Sequence, residues 1–238
     1  MNKKCIGIFD SGIGGLTVLE EIKRLLPNEN YIYYADSKNN PYGEKSDEEL
    51  KIICSNIVDY LINNECKIIV IACNTATTRC IKYLREKYKN IIFIGTEPAI
   101  KVACDKDAKN ILVMATQATV ESKRTEELII NNKNDKQNIY LVACEGLAHA
   151  IEIDDRDKIN NIISKIYEKY KNYDIDGIVL GCTHYPLIKD EIVRYFKDVK
   201  LFDSSLGVAK ELKRQLELND LINDNGKGDV TLINSKEL

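Results

Sequence analysis

Two short stretches of the chain, Ile68–Thr75 and Gly177–His184, read IIVIACNT and GIVLGCTH and look like copies of each other. Each is an apolar, largely β-branched run that ends in a cysteine and is followed by small polar residues. A strand buried on both faces of a parallel sheet has this pattern. Ligands of open α/β sheets bind beyond the carboxyl ends of such strands. The repeat therefore predicts two thiols, Cys73 and Cys182, each at the end of a strand in its own half of the molecule.

Strand-like and helix-like runs alternate along the whole chain. The predicted strands are Cys5–Phe9, Tyr31–Ala35, Ile68–Ala72, Ile91–Gly95, Asn110–Ala115, Ile139–Ala143, Gly177–Gly181, Lys200–Phe202 and a short terminal strand, Val230–Ile233. Apolar residues at helical spacing lie between most of them, and Ser46 with Glu49 forms the capping box of one predicted helix. This alternation is typical of an α/β architecture with parallel sheets.

The repeated cysteine motif also predicts two similar units. Pro98 follows the strand Ile91–Gly95 and marks the first crossing between the units. A second crossing is expected near Ser204–Gly207, after which a helix at about Val208–Leu218 returns to the first unit. We therefore expect an N-terminal α/β domain of residues 1–97 plus 208–238 and a second α/β domain of residues 98–207.

Composition and charge narrow the class of protein. The chain has 238 residues, of which 44% are apolar and 30% charged, and a formal net charge of −3. Without a basic excess, nucleic acid is not an expected partner. No apolar run approaches the ~18 residues of a membrane span, and the apolar stretch before Asp10 is too short for a signal peptide, so we expect a cytoplasmic protein without a membrane partner.

The eight cysteines are expected to be reduced in that compartment. There is no C-x-x-C pair, and His149 and His184 are the only histidines, so a structural zinc site is not expected. We interpret most of the cysteines as small buried hydrophobes, and we assign no chemistry to Cys54, Cys66, Cys80 and Cys104.

A glycine-rich segment, Asp10–Gly15, lies between the first predicted strand and the first predicted helix. Backbone N–H groups of such a turn can bind an anion at a helix N-terminus. A dinucleotide site is one interpretation, which Asp36 at the end of the second strand supports, but Thr17 stands where the fingerprint needs its third glycine. A turn that only connects strand and helix, or one that binds a small carboxylate, are the alternatives.

The two cysteine motifs suggest proton-transfer chemistry. A thiol at a helix N-terminus has a lowered pKa, and Asn74, Thr75 and Thr77 after Cys73 offer donors to a carboxylate. The segment from Cys182 to Pro186 is expected to repeat this arrangement, with His184 placed to share the proton of the thiol. Two like bases that face one pocket suit removal of a proton from one face of a carbon and its return to the other. A Cys-His hydrolase is the competing interpretation, and it leaves the second thiol without a role.

At these motifs the chain resembles glutamate racemases of the cofactor-independent aspartate/glutamate racemase superfamily. The matching blocks are Ile6–Val18, Asp36 with Pro41–Gly43, Val70–Thr77 and Leu180–Pro186. Weaker matches are Thr116 with Thr119 and Ser122, Cys144 with Glu152, and Asp203 with Ser204. The resemblance covers nearly the whole chain, with the blocks in order and at similar spacing.

The resemblance implies a role for each matching residue. Cys73 and Cys182 would be the two proton-transfer groups, Cys73 acting on the D-enantiomer and Cys182 on the L-enantiomer. Asp10 would assist Cys73, His184 would assist Cys182, and Glu152 would be a further acidic residue of the pocket. The implied substrate-binding residues are Asp10, Ser11, Tyr42, Gly43, Asn74, Thr75, Thr183 and His184, with Thr116 and Thr119 as weaker candidates.

The same resemblance implies two similar Rossmann-like domains with mainly parallel sheets and an active site in the cleft between them. It implies no pyridoxal phosphate, no other cofactor and no metal. The expected substrate is glutamate, the product D-glutamate for peptidoglycan and hence for cell shape, and the expected assembly a homodimer. Glu145 and His149 replace prolines that the family usually carries, and Glu97 stands where an uncharged residue is expected. A racemase of aspartate or another amino acid therefore remains an alternative, as do a dinucleotide-binding module and a Cys-His hydrolase.

Overall fold

The computed structural model describes residues 4–237, in which nine strands and ten α-helices alternate. The strands are β1 (Ile6–Asp10), β2 (Tyr31–Ala35), β3 (Ile68–Ile71), β4 (Ile92–Gly95), β5 (Asn110–Ala115), β6 (Asn138–Ala143), β7 (Gly177–Gly181), β8 (Lys200–Phe202) and β9 (Val230–Asn234). The helices are α1 (Leu16–Leu25), α2 (Asp47–Asn63), α3 (Asn74–Lys87), α4 (Ile100–Asp105), α5 (Gln117–Val120), α6 (Lys123–Asn132), α7 (Leu147–Glu152), α8 (Arg156–Tyr170), α9 (Lys189–Tyr195) and α10 (Ser205–Leu218). Short 3-10 helices cover Tyr42–Glu44, Tyr185–Ile188 and Ser235–Glu237.

All paired strands run parallel, which confirms the predicted α/β fold class. The first sheet has the order β4-β3-β1-β2-β9 and the second the order β6-β5-β7-β8. Every residue of β1, β3 and β7 is buried, as expected for strands that helices cover on both faces. Each predicted strand is present, and its ends lie within one residue of the predicted ends.

The strand order places the cysteines where ligands of this fold class bind. In the first sheet the chain passes from β1 to β2 on one side and to β3 on the other, so the order reverses between β1 and β3. In the second sheet it reverses in the same way between β5 and β7. Open α/β sheets bind ligands beyond the carboxyl ends of the strands at such a reversal. Asp10 and Cys73 lie at this point of the first sheet, and Thr116 and Cys182 at this point of the second.

Helices cover both faces of the first sheet. Because side chains alternate along a strand, Ile6 and Ile8 of β1 pack with α1 and α10, whereas Phe9 packs with α2 and α3. Burial of one such side chain contributes about 1.5–3 kcal/mol to stability. In the second sheet, α7, α8 and α9 pack on one face and α4 on the other. The strand ends that carry the polar residues are therefore held by rigid, buried scaffolds.

The chain divides into two compact units, one of Met1–Thr96 with Ser205–Leu238 and one of Glu97–Ser204. Glu97 thus lies in the second unit rather than the first, and Ser205–Gly207 in the first rather than the second. The shift at the second crossing arises because α10 begins at Ser205 and not at Val208. No helix within residues 4–237 is both long and apolar enough to cross a membrane.

Candidate active site

The glycine-rich turn after β1 wraps around the carboxylate of its own first residue. Asp10 is fully buried, and its Oδ2 accepts hydrogen bonds from the N–H groups of Gly12 at 3.2 Å and Gly15 at 3.0 Å. A Cβ atom on Gly15 would lie 2.6 Å from the Cβ of Asp10, so this close approach requires glycine. The turn therefore places a negative charge where a dinucleotide would need to place its pyrophosphate, which weighs against the dinucleotide interpretation.

Cys73 caps the N-terminus of α3. Its Sγ accepts a hydrogen bond from the N–H of Ala76 at 3.4 Å and lies 3.9 Å from the Oγ of Ser11. Free N–H groups and the helix dipole favour negative charge at this position, so the setting stabilises a thiolate. The predicted role of Cys73 as a proton acceptor is compatible with these surroundings and stays a prediction.

Asn74 is the first residue of α3 and is only 3% exposed. Among residues 4–237, neither its Oδ1 nor its Nδ2 has a hydrogen-bond partner. A buried polar group without a partner costs about 1–3 kcal/mol, and one explanation for such a group is a ligand that is bound during function. Thr75, the next residue, is also buried. These two side chains are suitable donors for a substrate carboxylate.

Thr77, which we expected to be a third donor, has another role. Its hydroxyl donates to the carbonyl of Ile71 at 3.2 Å and accepts from the N–H of Thr96 at 3.0 Å. The hydroxyl ties together the main chain that follows β3 and β4, so the prediction that it serves a ligand is wrong in this structure.

The loop after β2 is fixed by a buried carboxylate. Asp36 accepts hydrogen bonds from the hydroxyl of Tyr42 at 2.7 Å and from the side-chain amide of Asn39 at 3.0 Å to both oxygens. Burial raises the pKa of Tyr42 well above its ordinary value, which keeps the phenol protonated as a donor. A Cβ atom on Gly43 would meet no atom within 4 Å, so there is open space beside that residue. Asp36 is thus used inside the loop and not as a ribose ligand.

In the second unit, three side chains form a linear series beyond the end of β7. Cys182 Sγ lies 3.9 Å from His184 Nδ1, and His184 Nε2 lies 2.8 Å from Glu152 Oε2 at the end of α7. The side chains of His184 and Glu152 are 1% and 6% exposed. The carboxylate of Glu152 orients the imidazole ring, and the other ring nitrogen lies beside the thiol of Cys182.

The second cysteine does not repeat the capping geometry of the first, which corrects our expectation. A 3-10 helix starts at Tyr185, and the N–H of Tyr185 donates to the main-chain carbonyl of Cys182 at 3.1 Å. Pro186 occupies the first turn of this helix, as predicted, and has no N–H to donate. Cys182 therefore has the ring of His184 beside its sulfur, whereas Cys73 has the backbone N–H of Ala76.

The weaker candidates lie at the ends of strands in the second unit. Thr116 follows β5 and caps α5, and its hydroxyl donates to the hydroxyl of Thr119 at 3.1 Å. Thr183 is buried beside Cys182. Asp203 and Ser204 follow β8. Glu145 is exposed, whereas His149 is half-buried on α7 and its Nδ1 has no partner in the part of the chain that the structure describes.

Most of the remaining cysteines are buried, whereas Cys5 is only partly buried. All eight cysteines are free thiols. Burial raises the pKa of Cys66 and of Cys144 to about 12, and that of Cys104 above its ordinary value. These thiols stay protonated at neutral pH, which fits the absence of any assigned chemistry. Within residues 4–237, no group of three or more His, Cys, Asp or Glu side chains could hold a metal ion.

Two hydrogen bonds to the glycine-rich turn are not predicted from the sequence. The side-chain amide of Asn40 donates to the carbonyl of Ser11 at 3.1 Å, and the hydroxyl of Tyr33 donates to the carbonyl of Gly12 at 2.7 Å. Each partner is more than twenty residues away along the chain, and no sequence signal indicates either bond. Both contacts become visible only once the strands are ordered in the sheet.

Comparison with known proteins identifies the family to which the chain belongs. The Asp/Glu/Hydantoin racemase family matches residues 6–211. The chain is 44% identical over 235 residues to a glutamate racemase from Clostridium botulinum (strain Alaska E43 / Type E3), an alignment that covers 97% of this chain and 91% of that protein. A glutamate racemase structure from Bacillus anthracis matches with a TM-score of 0.83 and 30% identity, covering 98% of this chain and 88% of that one.

A second solved structure, a glutamate racemase from Francisella tularensis in complex with D-glutamate, matches with a TM-score of 0.80 and 31% identity. It covers 99% of this chain and 89% of that one. The family match spans most of the chain, and the strand-end cysteines lie inside the matched residues. The chain therefore belongs to the aspartate, glutamate and hydantoin racemase family.

Proposed function

We propose that this protein interconverts L- and D-glutamate by a two-base mechanism in which Cys73 and Cys182 act on opposite faces of the α-carbon. The observation that carries the proposal is that each of the two units bears one thiol at the reversal point of its sheet, with a group beside it that supports a negative charge or accepts a proton. One thiol would suffice for a nucleophile. Two such thiols are what an exchange of protons between two faces requires.

In the proposed reaction, a thiolate removes the α-proton and a thiol returns one. From D-glutamate, the Cys73 thiolate takes the proton, and the electron pair of the broken C–H bond delocalises into the α-carboxylate. The Cys182 thiol then donates its proton to the opposite face, which gives L-glutamate and leaves Cys182 as the thiolate. From L-glutamate the steps run in reverse. A positioned proton donor or acceptor of this kind contributes roughly 10²–10⁴-fold to the rate.

Donors around the substrate must stabilise the carbanion, because its charge develops on the carboxylate oxygens. We assign this role to Asn74 and Thr75 in the first unit and to Thr183 in the second. Loss of one such donor typically lowers the rate by about 10²–10³-fold. Ser11, Tyr42 and Gly43 are assigned to the rest of the substrate, with the open space beside Gly43 as support.

The same assignment proposes a place and an assembly for the protein. D-glutamate is the form used in peptidoglycan, so we propose a cytoplasmic enzyme that supplies the cell wall. Eight free thiols are compatible with that reducing compartment. We also propose a homodimer, and light scattering that gives the mass of a single 27.1 kDa chain would contradict it.

A hydrolase is the second candidate, because Cys182, His184 and Glu152 stand in the order of a nucleophile, a base and an orienting acid. This candidate gives no role to Cys73. Turnover of an ester or amide substrate that survives the substitution Cys73→Ser would support the hydrolase and contradict the racemase.

The direct test is incubation of D-glutamate with the protein in heavy water, followed by mass spectrometry and circular dichroism. We expect one deuterium at the α-carbon of the product and loss of optical activity. A parallel incubation with aspartate tests the alternative substrate. Unlabelled, optically unchanged glutamate would overturn the proposed function, and faster exchange into aspartate would replace the substrate.

A further inference from the structure

Asn40 forms a hydrogen bond with the turn that contains Ser11, although the two residues are 29 positions apart in the sequence. Its Nδ2 donates to the carbonyl of Ser11 at 3.1 Å, and its Oδ1 is buried without a partner among residues 4–237. An amide that makes one bond and leaves its other polar atom desolvated is not placed there for stability alone, since the unpaired oxygen costs about 1–3 kcal/mol. The contribution of this side chain therefore comes from its hydrogen bond to Ser11 rather than from the burial of its oxygen.

Ser11 is the residue through which Asn40 reaches the proposed chemistry. Ser11 is buried, and its Oγ lies 3.9 Å from the Sγ of Cys73. It lies in a turn that follows the last residue of β1 and precedes α1, so no strand or helix ladder fixes its carbonyl. Side chains hold two successive carbonyls of this turn instead. Asn40 donates to the carbonyl of Ser11, and Tyr33 donates to the carbonyl of Gly12.

The loop that carries Asn40 is itself held by hydrogen bonds. Asp36 binds the hydroxyl of Tyr42 on one side of Asn40 and the amide of the adjacent Asn39 on the other. Asn40 therefore transmits the position of a fixed loop to the turn beside Cys73. An aspartate in its place would keep the shape but lose the donor, and it would set a carboxylate against the carbonyl of Ser11.

We propose that Asn40 is a positioning residue for Cys73: its amide fixes Ser11, and Ser11 in turn fixes the surroundings of the Cys73 sulfur during proton transfer. This inference rests on the proposed racemase function. A displacement of about 1 Å at a reacting group can lower a rate by up to about 10²-fold, and we expect a loss of about tenfold here. The loss belongs to the step at Cys73 and not to the step at Cys182.

The test compares Asn40→Leu and Asn40→Asp with the matched control Asn132→Leu. Asn132 is also half-buried and donates its amide to a main-chain carbonyl, that of Leu128 at 2.7 Å, but in the second unit. We expect kcat/KM to fall about tenfold in both directions for the Asn40 variants, because the equilibrium constant cannot change. The control is expected to keep the activity of the parent protein.

The α-deuterium isotope effect separates a positioning role from a purely structural one. With α-deuterated D-glutamate, whose proton Cys73 removes, the isotope effect on kcat/KM should rise in both Asn40 variants. With α-deuterated L-glutamate it should not rise. A lower fraction of folded protein would leave both isotope effects unchanged, so a variant that folds poorly does not imitate the expected result.

A second readout does not depend on catalysis. Iodoacetamide alkylation, followed by mass spectrometry of the peptides with Cys73 and Cys182, should proceed at least threefold faster at Cys73 in Asn40→Leu and at the parent rate at Cys182. Unchanged isotope effects together with equal alkylation changes at both thiols would overturn the inference. If instead the parent protein exchanges no α-hydrogen of glutamate, the proposed function fails, and the alkylation ratio alone decides whether Asn40 controls the site of Cys73.

Discussion

The two units present the same strand motif and support its cysteine in different ways. In the first unit, the Sγ of Cys73 accepts the N–H of Ala76 and the long helix α3 begins at once. In the second, the Sγ of Cys182 lies beside the ring of His184, which Glu152 holds at 2.8 Å. One thiol is supported by fixed backbone dipoles and the other by a side chain that can itself gain or lose a proton.

The difference follows from the residues that come three and four places after each cysteine. Ala76 is free to direct its N–H at the sulfur, whereas Tyr185 directs its N–H at the carbonyl of Cys182 and Pro186 has none. The Cys182 thiol instead lies beside a titratable side chain, with His184 Nδ1 3.9 Å from its sulfur. Similar strands thus do not guarantee similar catalytic surroundings.

The strongest challenge to this comparison is removal of each sulfur. We expect Cys73→Ser and Cys182→Ser each to lower racemisation of glutamate by about 10³-fold or more, since an alcohol is a far weaker acid than a thiol and each thiol acts in both directions. Thermal unfolding should stay close to that of the parent protein, because the change is nearly isosteric. Near-parental racemisation by either variant would refute the two-base mechanism.

Substitution of Asp10, which the family resemblance assigns to Cys73, and of His184, which lies beside Cys182, shows whether each residue acts on its own thiol. Asp10→Asn and His184→Asn should each reduce kcat/KM by about 10²-fold, in both directions alike. The α-deuterium isotope effect should rise for D-glutamate in Asp10→Asn and for L-glutamate in His184→Asn. Equal changes of both isotope effects in either variant would show that the two supports are not specific to their own thiols.

Glu152→Gln sharpens the comparison further, because Glu152 hydrogen-bonds to His184, which in turn lies beside the thiol of Cys182. We expect a loss of roughly tenfold, which lies at the lower end of the range of about 1.5–3 kcal/mol for a hydrogen bond to a charged group. In a double-mutant cycle, Glu152→Gln should add little to His184→Asn, whereas its effect should be retained in Asp10→Asn. Full additivity with His184→Asn would contradict a serial arrangement.

The smallest expected effect is on substrate affinity. Gly43→Ala should raise KM for glutamate a few-fold while thermal stability stays constant, since the added methyl enters open space where we place the substrate. Gly207→Ala is the matched control, because a Cβ there also meets nothing within 4 Å, and its KM should not change. A parental KM for Gly43→Ala would place the substrate elsewhere.

The strands were the most predictable part of the fold. Tyr31–Ala35, Asn110–Ala115, Gly177–Gly181 and Lys200–Phe202 have the predicted bounds. In the first three of these strands every residue but at most one is buried, as is typical of a parallel sheet that helices cover on both faces. The start of α10 was missed by three residues. Gly207 has a low helix propensity, but the packing of α10 against the first sheet overrides that preference.

For the candidate site, the sequence indicates candidate residues but not which atoms they contact. Its motifs single out Asp10, Cys73 and His184 as candidates. Thr77 accepts a hydrogen bond from Thr96, 19 residues away, and Asn40 donates one to Ser11, 29 residues away. Periodicity and local motifs contain no information on such contacts.

The last strand has a consequence for the order in which the protein forms. β9 pairs with β2 and the hydroxyl of Ser235 accepts the N–H of Lys38, yet these residues are synthesised only after the entire second unit. During translation the outer edge of β2 therefore stays unpaired, and an unpaired edge is open to pairing with other chains. Synthesis of the first unit starts before that of the second unit but ends after it. A nascent chain should therefore be most prone to aggregation in the interval before β9 emerges.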